Sequence, residues 1–147
     1  MKLLLIIQPL KQTAKHLCLF GIGGLIYYFI ECLWRGYSHW SMICCGGICF
    51  VIIGLLNELY TYDMSIVSQM FLSSIVITFN EFIFGCVFNL WLHFNVWDYS
   101  NQPYNILGQV CLLYTNLWFL LSIIAILLDD YLRYKLFKEE KPHYKWL

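Results

Sequence analysis

Long apolar stretches alternate with short polar ones along the whole chain. Four of them are long enough to cross a bilayer core of about 30 Å, which takes roughly 20 helical residues. They run from 14 to 33, from 41 to 59, from 64 to 92 and from 106 to 128. Each stretch is continuously apolar, whereas strands of a membrane barrel alternate apolar and polar residues. The pattern therefore predicts an all-α, polytopic membrane protein with four transmembrane helices.

The remaining residues complete a three-part organisation. We expect an interfacial, cytoplasmic N-terminal segment at 1–13, a four-helix transmembrane domain at 14–128 and a basic cytoplasmic tail at 129–147. The composition agrees, because a chain that is 61% hydrophobic and only 12% charged is too apolar for an ordinary soluble domain. Nine basic residues balance nine acidic ones without any block of one sign. The lipid bilayer is thus an expected partner and nucleic acid is not.

The positions of the basic residues predict the orientation. Three of them, Lys2, Lys11 and Lys15, lie before or at the very start of the first predicted helix and five follow the fourth, which leaves Arg35 alone in a connecting segment. By the positive-inside rule, both termini are predicted to be cytoplasmic, as an even number of helices requires. The loops at 34–40 and 97–105 are then expected to face outward.

Three acidic residues fall inside the apolar stretches, where a charged carboxylate near the bilayer centre costs about 2.5 kcal/mol or more. Glu31 has Arg35 one helical turn later, in the order that favours an ion pair, so a structural role is expected. Glu58 lies near a membrane boundary and can reach water. Glu81 is deep inside the third stretch. It is expected to serve either as a proton or substrate ligand or as a partner in a buried interhelical hydrogen bond.

The segment 97–105, with the sequence WDYSNQPYN, is the most polar stretch between two predicted helices. Asn101 and Pro103 are typical of a turn. Asn105 is well placed to cap the N-terminus of the fourth helix. Trp97 carries an amphipathic ring of the kind that prefers the headgroup level. These four residues are predicted to have structural roles.

Asp98 and Tyr99 suggest a link between the two outer loops, through Arg35 or His39. Two interpretations are open. In one, the polar segment is a hydrogen-bonded lid that joins two helical hairpins. In the other, it also forms part of an outer substrate vestibule, made of Glu31, Arg35, Trp40, Asp98 and Tyr99.

The seven cysteines all lie within apolar stretches, so we expect reduced, buried side chains. Cys45 and Cys49 are one helical turn apart, a spacing that could hold a soft metal ion. Neither a histidine nor a second cysteine pair lies nearby in the sequence, and close helix packing by small residues is the favoured explanation. We therefore predict no metal, no cofactor and, in the absence of a nucleophile arrangement, no enzymatic activity.

Acidic residues also end the fourth apolar stretch. Asp129 and Asp130 are expected near the C-terminus of the fourth helix, where the helix dipole disfavours negative charge. Arg133 lies one turn after Asp129 and would offset that penalty. The expected role of the three residues is a charge cluster at the membrane boundary.

The segments 25–42 and 80–134 contain several specific motifs. They include ECLWRGYSHW at 31–40, Asn-Glu at 57–58, and the stretch from WDYS at 97–100 to GQVC at 108–111. On these motifs the chain resembles the putative ABC transporter permeases (putative ABC-transporter type IV), small multi-span proteins of Gram-positive anaerobes. The resemblance implies a multi-pass protein of the bacterial cytoplasmic membrane and a permease-like transport component.

A permease of this kind needs an energy source. The chain contains no Walker A pattern, so an ATP-binding subunit would have to act in trans. Four helices enclose little space for a solute, which favours a homo-oligomer or a partner membrane protein. Two alternative functions are a proton-coupled small-solute carrier that acts as a homo-oligomer through Glu81, and a non-transporting membrane scaffold or sensor.

Overall fold

The computed structural model describes residues 2–60 and 64–146, with side chains for 8–56 and 64–146. Four α-helices make up most of the chain, which confirms the predicted all-helical class and the helix count. A π-helix continues the third α-helix, and a short antiparallel hairpin precedes the fourth. The elements are α1 (Lys2–Arg35), α2 (Trp40–Tyr60), α3 (Ile66–Phe84), the π-helix (Gly85–Trp91), β1 (Asn105–Ile106), β2 (Val110–Cys111) and α4 (Leu112–Phe137).

Three of the helical segments are long and apolar enough to cross a membrane. They are Gln8–Arg35, Ile66–Trp91 and Leu112–Phe137, and Trp40–Leu56 of α2 is a shorter apolar stretch. Large apolar side chains such as Phe29, Phe79 and Leu120 are exposed on the outside of the bundle. Helices that are apolar on their outer faces as well as their inner ones are typical of membrane proteins.

The helices pack as two hairpins, α1 with α2 and α3 with α4, and α2 also contacts both α3 and α4. Glycines let α1 and α2 approach closely. A Cβ atom on Gly24 would lie 2.3 Å from the carbonyl oxygen of Ile43, and one on Gly47 would lie 2.7 Å from the carbonyl oxygen of Phe20. Small residues at these positions therefore explain the tight α1–α2 contact. By contrast, the described parts of α1 and α4 make few contacts with each other.

The start of the fourth helix was predicted wrongly. It begins at Leu112 and not at 106, because the chain first forms the β1–β2 hairpin. Leu107 and Gly108 in the hairpin have φ values of 53° and 69°, which a right-handed helix cannot accommodate. The prediction included this hairpin in the helix because its residues are mostly apolar. The first helix also differs, since α1 is helical from Lys2 onward, through the predicted interfacial segment.

Contacts between distant residues define the two ends of the bundle. At one end, Lys15 Nζ of α1 lies 2.7 Å from Glu139 Oε1, in the segment after α4. The amide of Ile66, at the start of α3, donates to the carbonyl of Lys145 at 2.7 Å. We call this the basic end. At the opposite loop end, Arg35 Nη1 donates to the carbonyl of Val96 at 2.8 Å. The start of the bundle and the segment after α4 thus share one end, as four helices require.

Candidate functional site

The side chain of Glu81 lies at the centre of the bundle and is only 3% exposed. Trp118 of α4 donates its indole N–H to Glu81 Oε2 at 2.7 Å. The Tyr27 hydroxyl of α1 faces the same carboxyl group, and the rings of Tyr27 and Trp118 are 5.8 Å apart between centroids. The interhelical hydrogen bond expected of Glu81 is therefore present, and it joins α3 to α4.

Glu81 also borders a cavity of about 160 Å³ that all four helices line. The side chains of Glu81, Tyr27, Trp118 and Ser122 belong to its lining, but the wall that faces the cavity is almost wholly apolar. Among the described residues that line the cavity, Glu81 is the only acid and no side chain is basic. A cavity of about 150 Å³ with apolar walls stays dry and can bind benzene. The space beside Glu81 is therefore large enough for a small organic group.

The cavity opens sideways between α1 and α4. Ile26 and Ile30 of α1 and Leu121 and Ile124 of α4 line it. The same four side chains are exposed on the outside of the bundle, Ile124 by 61%. Because the backbones of α1 and α4 make few close approaches, these residues form the rim of a gap rather than a closed wall. In a membrane, the gap would face the lipid hydrocarbon.

Asn80 fixes the two cysteines that were considered for a metal ion. Its side-chain amide donates to the carbonyl of Cys45 at 3.1 Å and contacts the sulfur atoms of Cys49 and Cys45 at 3.1 and 3.3 Å. In the part of the chain that the structure describes, no group of three or more potential metal ligands occurs. The thiols of α2 are therefore held by an amide of α3, a contact that sequence reasoning missed.

The Glu31–Arg35 ion pair forms as predicted, with Nη2 of Arg35 2.9 Å from Oε1 of Glu31. The Ser38 hydroxyl donates to the other carboxylate oxygen. Through its second terminal nitrogen, Arg35 reaches the backbone carbonyl of Val96. The arginine therefore ties the end of α1 to the segment that follows the π-helix, through a carbonyl group rather than a side chain.

The predicted partners of Asp98 were wrong. Asp98 is exposed and accepts hydrogen bonds from the amide and hydroxyl of Ser100, which lower the pKa of its carboxyl group. It contacts neither Arg35 nor His39, whose ring pairs with Ser41. An aspartate oxygen that accepts from the backbone amide two residues later forms a local turn. Asp98 therefore does not form the predicted link between the loops, and its part in an outer vestibule stays a prediction.

Tyr99 is partly buried at the loop end of the bundle. Its ring stacks on Tyr114 with centroids 4.4 Å apart, and burial raises the pKa of its hydroxyl group. It packs against a loop-end cluster that includes Val96 and Met42. Its role in the structure is therefore to anchor the polar segment onto α4.

A buried network of amides holds the segment between the π-helix and α4. Asn89 donates to the carbonyl of Trp97 at 3.0 Å and to Gln109 Oε1 at 2.8 Å, and it accepts from the amide of Val96 at 2.7 Å. Trp97 is buried and donates its indole N–H to the carbonyl of Gln109. The ring of Trp97 therefore packs within the loop end of the bundle, and the headgroup level expected for it stays a prediction. Amides inside apolar stretches, at Asn89 and Gln109, were the sequence signal of this network.

Asn105 closes a turn rather than capping a helix. Its amide donates to the carbonyl groups of Gln102 and Ser100, and its oxygen accepts from the amide of Gly108. The N-cap of α4 is Cys111. The predicted cap at Asn105 was wrong because α4 begins after the hairpin.

The turn predicted from Asn101 and Pro103 is present. The amide of Gln102 donates to the carbonyl of Tyr99 at 2.9 Å, which closes a tight turn around Asn101, and Pro103 lies directly after it. These local hydrogen bonds make the polar segment a compact lid over the loop end. The lid interpretation thus describes its structure.

The acidic residues Asp129 and Asp130 of α4 have buried side chains near the basic end of the bundle. Asp129 is fully buried against Gly54, where a Cβ atom would lie 2.2 Å from its Oδ2. Arg133 pairs with Asp129 as expected, and its Nη1 lies 3.8 Å from Glu139. Since α4 continues to Phe137, the predicted helix end near Asp129 was wrong. Asp130 is buried beside them.

Glu58 is the remaining predicted site residue. It lies near the end of α2, among the residues whose side chains fall outside the described part of the chain.

Comparison with known protein families matches residues 16–146 to the family described as Putative ABC-transporter type IV. No curated protein and no solved structure matches the chain significantly. The match covers nearly the whole chain, including all of α2, α3, the lid and α4. The chain is therefore a member of the putative ABC-transporter type IV family.

Proposed function

We propose that the chain is a permease-like membrane subunit of a transport system and that its substrate site is the cavity beside Glu81. One observation carries the proposal: Glu81 borders a space that opens toward the lipid between α1 and α4. Ionisable side chains inside a membrane domain mark substrate, ion or proton pathways more often than structural positions. The lateral opening gives a substrate dissolved in the bilayer a direct route to this carboxyl group.

The packing around Glu81 favours a binding role over a purely structural one. Protein interiors contain few voids larger than a water molecule, because side chains interdigitate closely. A carboxyl group that served only to join α3 to α4 through Trp118 would not need about 160 Å³ of space beside it. The empty space next to a single acid is the arrangement that a ligand site requires.

The energy source would be an ATP-binding subunit in trans, as family membership suggests. On the predicted orientation, the basic end faces the cytoplasm and offers the surface for such a subunit. The segment 138–146 is fixed there by two contacts, of Lys145 with Ile66 and of Glu139 with Lys15. A tail fixed to both α1 and α3 can pass a movement of the partner on to the helices that surround the cavity.

Two other functions use the same observations differently. A homo-oligomeric carrier would use protonation of Glu81 itself as its energy source. Its substrate would bind in the same cavity as in the permease. A membrane scaffold or sensor would use the exposed helix faces and leave the cavity without a role. Both transport candidates need a second membrane chain, because the α1–α4 side of the cavity would face lipid and not protein.

The deciding experiment is purification of the tagged protein from its native membrane in a mild detergent, with the mass and composition of the intact complex. A stoichiometric ATP-binding subunit is the expected result. A homo-oligomer without that subunit would overturn the permease assignment and leave the carrier.

A Glu81→Gln variant, compared with the exposed control Glu140→Gln, then separates transport from scaffolding. We expect the first variant to assemble normally and to lose partner-dependent transport. A scaffold would keep its function in both variants.

A further inference from the structure

We propose that the Glu81 cavity binds a small lipophilic organic cation, with one aromatic ring or a compact quaternary ammonium group. This inference rests on the proposed function, since it names the class of substrate for the same site. It follows from the charge, the aromatic lining, the size and the opening of the cavity.

The charge of the lining favours a cation over an anion. Within the described part of the wall, Glu81 is the only acidic side chain, and no lysine, arginine or histidine lines the space. The nearest basic side chain named at the loop end, Arg35, is already bound to Glu31 and to the carbonyl of Val96. An anion would find no partner in the cavity and would be repelled by an ionised Glu81.

The lining also favours an organic cation over a metal ion. Ca²⁺ takes six to eight oxygen ligands, and Mg²⁺ requires six in an octahedron. The cavity offers the carboxyl group of Glu81 and, farther along, the hydroxyl of Ser122, which donates to the carbonyl of Phe119 at 2.7 Å. A quaternary or ring-delocalised cation needs no such oxygen cage. It is stabilised instead by apolar contact and by aromatic faces.

Two aromatic residues stand where such a cation would sit. The rings of Tyr27 and Trp118 are 5.8 Å apart between centroids and are tilted by 46°. Both adjoin Glu81, and Trp118 is bonded to it. Tryptophan and tyrosine faces are the preferred partners of quaternary ammonium groups, and a carboxylate beside them supplies the counter-charge.

The volume limits the size of the ligand. A cavity of about 160 Å³ is close to the apolar cavity of about 150 Å³ that binds benzene. A single ring with a compact charged head therefore fits, with part of it reaching into the gap between α1 and α4. A polycyclic dye would extend through the gap past Ile30 and Ile124 into the lipid.

A lateral route is favoured because buried contacts lie between the cavity and both ends of the bundle. The lid covers the loop end, held by the network of Asn89, Trp97 and Gln109. Toward the basic end, the buried Asp129 packs against Gly54 of α2. A ligand that partitions into the hydrocarbon can use the remaining opening, whereas a strongly hydrated one cannot.

The test measures ligand binding to the purified protein, with any subunit that accompanies it, in lipid nanodiscs. The probes are benzyltrimethylammonium and its uncharged isostere neopentylbenzene. Isothermal titration and the shift of the thermal unfolding midpoint report binding of each probe. We expect the cation to bind roughly tenfold more tightly than the neutral isostere, the ratio that a carboxylate and aromatic faces together provide.

Three variants make the result specific. Glu81→Gln keeps an acceptor for the Trp118 N–H and should remove the preference for the cation. Ala125→Leu fills the cavity from α4 and should weaken binding of both probes. Glu140→Gln, an exposed carboxylate outside the cavity, should change neither.

Equal binding of the two probes, or a cation preference that survives Glu81→Gln, would overturn the inference. So would a failure of the wild-type protein to bind the cation, or binding that Ala125→Leu leaves unchanged. This measurement does not depend on the identity of a partner subunit. A negative result here therefore leaves the purification experiment valid, and the absence of an ATP-binding subunit there leaves this binding result valid.

Discussion

The indole N–H of Trp118 donates to Glu81 Oε2 at 2.7 Å, so an acid of α3 is held by a residue of α4. The bond lies at the edge of the cavity and not in a packed interface. It therefore has two consequences. It partly compensates the cost of placing a carboxyl group inside a membrane protein, and it points one carboxylate oxygen in a fixed direction.

Trp118→Phe should destabilise the protein by about 1–2 kcal/mol, because it removes the donor but keeps most of the ring. The measurement is the free energy of unfolding by denaturing detergent in micelles. The same substitution made in a Glu81→Gln background should cost less, because a neutral acceptor loses less when the donor is removed. Equal costs in the two backgrounds would show that the change reflects ring packing and not the hydrogen bond.

Arg35→Met should destabilise the loop end by about 2 kcal/mol, because it removes the cation paired with Glu31 and leaves the Val96 carbonyl without its donor. Arg35→Lys should recover only part of the loss, since one ammonium group does not reproduce the two separate nitrogens of the guanidinium fork. Proteolysis of the 92–111 segment in nanodiscs provides a local readout. A variant that unfolds at the wild-type midpoint with an intact loop would contradict the link between the loops.

Asp98→Asn is the matched test of the lid against the vestibule. Its carboxyl group accepts only from Ser100, and an asparagine oxygen can accept the same two hydrogen bonds. We therefore expect a change of less than about 0.5 kcal/mol in unfolding free energy, as for other exposed substitutions, and unchanged binding in the cavity. Weakened cation binding in this variant would extend the site to the outer surface.

Asn89→Ala should destabilise the lid by about 2 kcal/mol or more. The substitution leaves the amide of Val96, the carbonyl of Trp97 and Oε1 of Gln109 without the buried partner that Asn89 provides. The control Asn101→Ala lies in the exposed turn and should have little effect. Hydrogen exchange at Val96 should rise in the first variant only, and equal exchange in both would exclude Asn89 as the centre of the network.

Hydrophobic length was enough to predict the helix count and class, and charge position predicted a shared end for the two basic segments. Prediction from hydrophobic length failed where an apolar sequence is not helical. Ile106 and Leu107 are apolar and were predicted to begin the fourth helix. They lie instead in an exposed hairpin, where Leu107 has a positive φ. The end of the fourth helix was also predicted too early, because Asp129, which is buried, follows the last residue of the apolar stretch.

The candidate site was predictable only in part. A carboxyl group at Glu81 inside an apolar stretch identified the position, and the i,i+4 spacing identified the Glu31–Arg35 pair. Trp118, Tyr27 and the cavity between them come from three helices, and no spacing along the chain reports how those helices face one another. Polar residues that stand out locally, such as Asp98, proved less central than amides hidden among apolar neighbours.

Arg133→Met should be the most destabilising of these single changes, by about 3 kcal/mol or more. It leaves Asp129 fully buried without the guanidinium that neutralises it, and loss of one partner from a buried ion pair is costly. The double variant Asp129→Leu with Arg133→Met should recover much of the loss, since it removes both charges and keeps apolar volume in the bundle. Lys135→Met, an exposed basic residue on the same helix, is the control and should remain near wild type. Unfolding free energies in detergent decide the comparison. If the single Arg133 variant were as stable as the control, the Asp129–Arg133 pair, which lies within α4, would contribute nothing measurable to stability.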